Sequence, residues 1–200
     1  MELKFASMSP YARKVMVVAH EAGVAQRIRV TPVKTREEPH TILPFNPLAK
    51  IPALVLDDGT TIYDSPVICE YLDAEFGGHR LLAASGPQRW RTLTRAALAD
   101  GALDAGLLVR WERLRPQELQ SSDWIAMQLG KIYAALDRLE DEAETFGPLD
   151  LGLVGVGCAL GYLPLRVPEI ADRARWPRLF AWYERMLERP SFARTVPVLT

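Results

Sequence analysis

An excess of charge of either sign is missing from this chain. Lys and Arg number 24, Asp and Glu 25, and the formal net charge is −1. No surplus of positive charge is on hand to neutralise a phosphate backbone or an anionic bilayer. Nucleic acid and membrane surfaces are therefore set aside as primary partners. Cysteine is scarce as well. Cys69 and Cys158 each sit among apolar neighbours, and the three histidines, His20, His40 and His79, are scattered. There is no Cys-x-x-Cys pair and no metal-type Cys/His spacing, which speaks against a disulfide scaffold and against a metal site. That usage fits a reducing, cytoplasmic compartment, with both cysteines acting as small buried hydrophobes. Long apolar runs are absent too. The longest uncharged stretch, Leu151 to Leu165, contains four glycines and Pro164. It falls short of the ~20 residues of a membrane span and reads as a buried core helix. The amino end carries Glu2 and Lys4 and turns polar by Ser7, which is not the pattern of a secretory leader.

What is present is an ordinary globular composition, 48% hydrophobic and 24% charged over 200 residues, enough for one large domain or two small ones. The first eighty residues alternate in pattern. Leu3-Lys4-Phe5 suits a short strand. Val15, Val18, Ala19 and Ala22 recur at helical spacing until Gly23. Arg27 to Val33 alternates charged and apolar residues like a half-buried strand, with Pro32 suited to an edge or a strand end. Lys34 to Lys50 reads as loop with one helical turn at most. Ala53 to Leu56, an Asp58-Gly59 turn and Thr60 to Tyr63 form a hairpin signal. Ser65 as N-cap and Pro66 at the first helical position open a second helix. The order β-α-β-loop-β-β-α implies a small mixed sheet with helices packed on it.

Gly77-Gly78 and Ser85-Gly86-Pro87 bracket a linker, and beyond it the periodicity is helical throughout. One long helix runs to about Arg113. A second is marked by Leu129, Ile132, Leu136 and Leu139. A third covers Leu151 to Tyr162, and a fourth opens at Trp176-Pro177.

Three motifs in the first part can carry chemistry. Ser9-Pro10-Tyr11 lies between the first strand and the first helix. It is explained by N-capping alone. Yet a helix N-terminus also offers unpaired N–H groups and partial positive charge, which together stabilise an anion. A thiolate held there would have its thiol pKa lowered. Ile51-Pro52 opens the third strand, as a strand-start proline or as a cis peptide. Asp64-Ser65-Pro66 is again a helix cap. Its hydroxyl, N–H groups and helix dipole can also seat a carboxylate, while Asp64 pairs with an adjacent ammonium: a site for an amino-acid head group.

Taken together, Ser9-Pro10-Tyr11-x-Arg13-Lys14-Val15, Asn46-Pro47-Leu48-Ala49-Lys50-Ile51-Pro52-Ala53-Leu54 and Asp64-Ser65-x-x-Ile68-x-x-Tyr71-Leu72 resemble the glutathione S-transferase superfamily, in its serine-dependent bacterial branch. Ala97 to Gly101 and Gly157 to Leu163 extend the resemblance over nearly the whole chain. It implies an α/β thioredoxin-like N-terminal domain over residues 1–80 and an all-α helical-bundle C-terminal domain over 87–200. It further implies that Ser9 hydrogen-bonds the glutathione sulfur. The Ile51 backbone would pair with the cysteinyl part of the tripeptide beside a cis Pro52, and Asp64 and Ser65 would hold the γ-glutamyl head. Asp100 would reach across a homodimer to the partner's glutathione amine. Lys50 or Lys34 would meet the glycyl carboxylate. One position departs from the family pattern. The helix opening near residue 150 has Asp150 and Leu153 in place of a hydroxyl residue and an aspartate, so the reciprocal side-chain cap is missing.

The activity this implies is conjugation of glutathione, a co-substrate, to a small hydrophobic electrophile, with Tyr11, Leu107, Leu108 and Trp111 as candidates for the apolar wall. Packing of the helices is the competing explanation for those four. Two other activities are compatible with the same resemblance: glutathione-dependent reduction of peroxides or mixed disulfides, and a non-catalytic binding or interaction module. Disulfide exchange is disfavoured because Ser9 stands where thiol-exchange relatives carry a cysteine.

Overall fold

The computed structural model describes residues 1–197, and the chain divides into two compact units. The first comprises Met1–Arg89 together with the segment that starts at Pro190; the second is Trp90–Arg189.

The first unit is built on a four-stranded sheet of β1 (Glu2–Phe5), β2 (Arg29–Pro32), β3 (Ala53–Val55) and β4 (Thr61–Ile62) in the order β2-β1-β3-β4. β1 runs parallel to β2 and antiparallel to β3, and β3 runs antiparallel to β4. Helix α1 (Pro10–Glu21) makes the crossover between β1 and β2, and α2 (Ser65–Leu72) follows β4. α1 packs with α2 and with the short α7 (Pro190–Ala193). Leu3, Val15, Val18, Leu54, Ile68 and Leu72 are fully buried and form the core.

α1 ends as its glycine requires. Gly23 takes φ 73°, Val24 N–H donates to Ala19 C=O, and Gly23 N–H to His20 C=O, which closes the last turn as a Schellman motif does. β2 is shorter than its alternating pattern suggests. Ala25–Arg27 forms a 3₁₀ turn, and β2 lies at the sheet edge with Val30 exposed and Pro32 paired to Phe5. The edge tolerates both the proline and the outward valine. In the stretch read as loop, one 3₁₀ turn forms at Pro39–Thr41.

In the second unit α3 (Pro87–Arg113, of which the part from Trp90 belongs here), α4 (Ser122–Glu142), α5 (Leu151–Arg166) and α6 (Pro177–Leu187) bury Leu103, Val109, Ile132, Leu136, Leu139, Val154 and Leu163. Residues 151–160 of α5 are all buried, as an uncharged run should be. α5 continues four residues beyond the expected end at Tyr162, through Pro164. A proline near the last turn removes one hydrogen bond only, and Val167 N–H donates to Leu163 C=O at 2.8 Å to close the turn.

Asp150 resolves the missing cap. Its Oδ1 accepts from Leu153 N–H at 2.8 Å, and its Oδ2 accepts from Thr92 Oγ1 at 3.0 Å and Arg95 at 3.4 Å. The partner lacking within the helix is replaced by two side chains of α3. Gly152 makes the close approach possible: a Cβ there would lie 2.8 Å from the Thr92 carbonyl oxygen.

Candidate functional site

Sheet topology places the three chemically suggestive motifs of the first unit at one end of the sheet. β1 leaves the sheet at Phe5 and runs to Ser9. Lys4 pairs with Ala53, so Ile51-Pro52 enters β3 beside that exit. β4 pairs antiparallel with β3, Leu54 opposite Ile62, so the chain leaves toward Asp64 at the same end.

Ser9 is the N-cap of α1. Its backbone is extended, its Oγ accepts from Ala12 N–H at 3.2 Å, and Pro10 follows as the first helical residue. Accepting that bond leaves the hydroxyl proton available for donation, and among the described residues no acceptor takes it. The first turn of α1 carries no acidic residue to offset the dipole.

Asn46 shapes the approach to Ile51. It is buried, donates from Nδ2 to the Lys50 carbonyl at 3.0 Å and accepts from Leu48 N–H at 3.0 Å. The turn includes Ala49 at φ 52°. Ile51-Pro52 is a cis peptide. The Ile51 side chain packs on the cluster of Val33, Ile42 and Ala53, while among the described residues its N–H and C=O take part in no backbone hydrogen bond. The sequence reading gave Asn46 no role; the available signal was its Asn-Pro dipeptide, a turn former.

At α2 the structure corrects the expected cap. Asp64, not Ser65, is the N-cap, and its carbonyl accepts from Ile68 N–H at 3.0 Å. The helix thus begins one residue early, with Ser65 inside the first turn, 2% exposed. The Asp64 side chain makes no capping bond, so the N–H groups of Ser65 and Val67 stay open at the helix start. Tyr63-Asp64 is a second cis peptide. Lys50 is exposed and carries no ion pair among the described residues, whereas the Lys34 ammonium lies 3.4 Å from Glu37. Tyr11 is half-buried in the first turn of α1.

The second unit holds the remaining candidates, all on α3. Asp100 and Leu107 are half-buried. Leu108 and Trp111 are exposed.

A family model described as the glutathione S-transferase N-terminal domain matches residues 8–75. The GST-like protein YibF of Escherichia coli K12 is 33% identical over 98% of both chains. The chain belongs to the glutathione S-transferase family. Its sheet-bearing first unit is thioredoxin-like, and its helical second unit completes the glutathione S-transferase fold. A glutathione transferase family member from Pseudomonas fluorescens Pf-5, solved with bound glutathione, superimposes with a TM-score of 0.92 at 42% identity, covering 99% of both chains. Another structure of a transferase from that organism holds S-(propanoic acid)-glutathione, with a TM-score of 0.89 and 44% identity over 100% of both chains.

Proposed function

We propose that this glutathione S-transferase family member binds glutathione at the sheet end described above and joins the tripeptide, through its thiolate sulfur, to a small hydrophobic electrophile. The observation that carries the reading is the Ser9 hydroxyl. It accepts from its own helix and keeps its proton for a ligand, at an N-terminus free of acidic side chains. A free thiol, with pKa near 8.5, is only a few per cent ionised at neutral pH. A hydrogen bond from Ser9 and the partial charge of α1 both favour the thiolate.

The remaining groups divide the tripeptide among them. The open N–H and C=O of Ile51, beside Pro52, suit antiparallel pairing with its cysteinyl unit. The open N–H groups of α2 with the Ser65 hydroxyl suit the γ-glutamyl carboxylate, and Asp64 its ammonium. Lys50, with no acidic partner among the described residues, suits the glycyl carboxylate better than Lys34. Asp100 is assigned to the partner's glutathione amine in a homodimer. Tyr11 is assigned to the electrophile. The glutathione bound by the Pseudomonas relatives supports the ligand assignment.

Replacement Ser9→Ala tests the mechanism. A hydrogen bond to a charged sulfur contributes about 1.5–3 kcal/mol, so conjugation of 1-chloro-2,4-dinitrobenzene should slow by about 10- to 100-fold. The pKa of bound glutathione, followed by thiolate absorbance, should rise by about 1–2 units. Unchanged conjugation in this variant removes Ser9 from the mechanism. Oxidised glutathione formed from a hydroperoxide, without conjugation, would assign the site to peroxide reduction instead.

A further inference from the structure

The loop that leads into β3 is pinned at its base. Ile42 is fully buried, and Phe45 packs on the cluster it forms with Val33 and Ala53. The Lys4 ammonium lies 4.0 Å from the centroid of the Phe45 ring. The N–H groups of Phe45 and Asn46 both donate to the Ile42 carbonyl at 2.9 Å. Asn46, 1% exposed, is thereby tied to the interior of the first unit.

From that anchor Asn46 holds the next four residues. Its backbone carbonyl accepts from Ala49 N–H at 2.9 Å, its Oδ1 accepts from Leu48 N–H at 3.0 Å, and its Nδ2 donates to the Lys50 carbonyl at 3.0 Å. Between these bonds Ala49 is kept at φ 52°, which an alanine avoids on its own. The turn itself needs only the side-chain oxygen. The bond from Nδ2 is additional, and it acts on the peptide that opens into Ile51. Lys50 C=O and Ile51 N–H belong to one planar trans peptide and point in opposite directions. Holding the carbonyl toward Asn46 therefore turns the Ile51 N–H away from it, and among the described residues that N–H takes part in no backbone hydrogen bond. A bond accepted at the carbonyl also polarises the peptide and strengthens its N–H as a donor.

We propose that Asn46 is a positioning residue for the glutathione site: through the Lys50 carbonyl it aims the Ile51 N–H at the carbonyl of the cysteinyl unit. This rests on the glutathione-binding reading above. Asn46 acts on how the tripeptide is held, and the thiolate chemistry stays with Ser9.

The test titrates the full-length protein calorimetrically with S-methylglutathione and with an isostere in which a trans alkene replaces the Cys–Gly peptide bond. The isostere keeps the shape of the chain and lacks the cysteinyl carbonyl. The wild type should bind S-methylglutathione about tenfold more tightly, as one hydrogen bond allows. Asn46→Asp keeps an acceptor for Leu48 N–H and has no N–H for Lys50. Asn46→Ser, uncharged, can also accept from Leu48 N–H and is too short to reach Lys50. In each variant the preference should shrink from about tenfold toward one. The charge added by Asn46→Asp falls on both ligands and cancels in the ratio. Asn46→Ser decides the matter if Asn46→Asp does not fold. With 1-chloro-2,4-dinitrobenzene as acceptor the loss should appear in KM for glutathione more than in kcat. Variants that retain the tenfold preference, whether both ligands weaken alike or neither does, overturn the positioning role and leave the glutathione site standing. A loss confined to kcat overturns it as well. A wild type that binds both ligands equally overturns the assignment of Ile51 and the proposal with it. A wild type that binds neither overturns the glutathione reading itself.

Discussion

Replacing Asp150 by alanine strips α5 of its cap and α3 of an acceptor in one step. Three contributions set the size of the effect. The Leu153 N–H loses its acceptor at 2.8 Å, and removal of an N-cap costs about 1 kcal/mol. Thr92 is buried and its hydroxyl loses its acceptor at 3.0 Å, which adds about 1–2 kcal/mol. Arg95 keeps Glu142 at 3.4 Å, so its loss of Asp150 contributes little, about 0–1 kcal/mol. The total is about 2–4 kcal/mol. Asp150→Asn keeps the cap through its one carbonyl oxygen and faces Thr92 with an amide N–H that donates to the hydroxyl instead of accepting from it, and should cost about 1 kcal/mol or less. Asp150→Ser keeps the cap alone and should fall between the two. Urea denaturation followed by tryptophan fluorescence and far-UV circular dichroism reads the difference as a shift in midpoint at unchanged slope. A loss below about 1 kcal/mol for Asp150→Ala would refute this account of the cap. An Asn variant as unstable as the Ala variant would show that charge, not capping, is what Asp150 supplies.

Glu140 should behave alike at α6. Its carboxylate accepts from the N–H groups of Arg178 at 3.1 Å and Leu179 at 2.8 Å, and from Arg178 Nε at 3.0 Å. Glu140→Ala leaves two helix-start donors open and should cost about 2–3 kcal/mol in the same urea assay, with Glu140→Gln less damaging. Glu2 gives a pH signature. Hydrogen bonds from Lys4 above all, and from Thr31, hold its pKa down at about 2. A carboxyl whose folded-state pKa lies below its unfolded value adds stability above the unfolded pKa and loses it as the pH falls through the folded one. Stability should therefore decline from about pH 4.5 to 2, and Glu2→Gln should flatten that part of a thermal-denaturation profile; an unchanged profile would refute the role of Glu2.

The elements of this fold were legible where a local signal acts alone. Ser9-Pro10, Asp58-Gly59 and Trp176-Pro177 each mark a start or a turn that forms where expected. The uncharged run from Leu151 marks the helix that is buried throughout residues 151–160. What stayed hidden depends on residues far apart in the chain. Arg13 and Lys14 are each only 2% exposed, which no periodicity of a basic dipeptide announces. Arg13 is buried because its Nε reaches Thr195 Oγ1 at 3.5 Å and its guanidinium lies 5.6 Å from the Phe192 ring centroid. Capping of α6 by Glu140 spans 38 positions in sequence. The four residues of α7 carry too short a period to be recognised. For the candidate site, motif spacing brought forward Ser9, Ile51-Pro52 and Asp64-Ser65. It could not foresee which residue begins α2, because that is settled by one backbone bond from Ile68.

Phe192, fully buried, and Ser191, whose hydroxyl donates to Glu21 at 2.5 Å, belong to the unit that β1 begins. A chain emerging from the ribosome thus completes its sheet unit only after Trp90–Arg189 has been made, when the residues from Pro190 are free. A fragment cut at Arg89 would lack part of its own interior and present that gap to chaperones and proteases. The stretch up to Arg89 and the segment from Pro190 are made at different times but must be present together for the sheet unit to close.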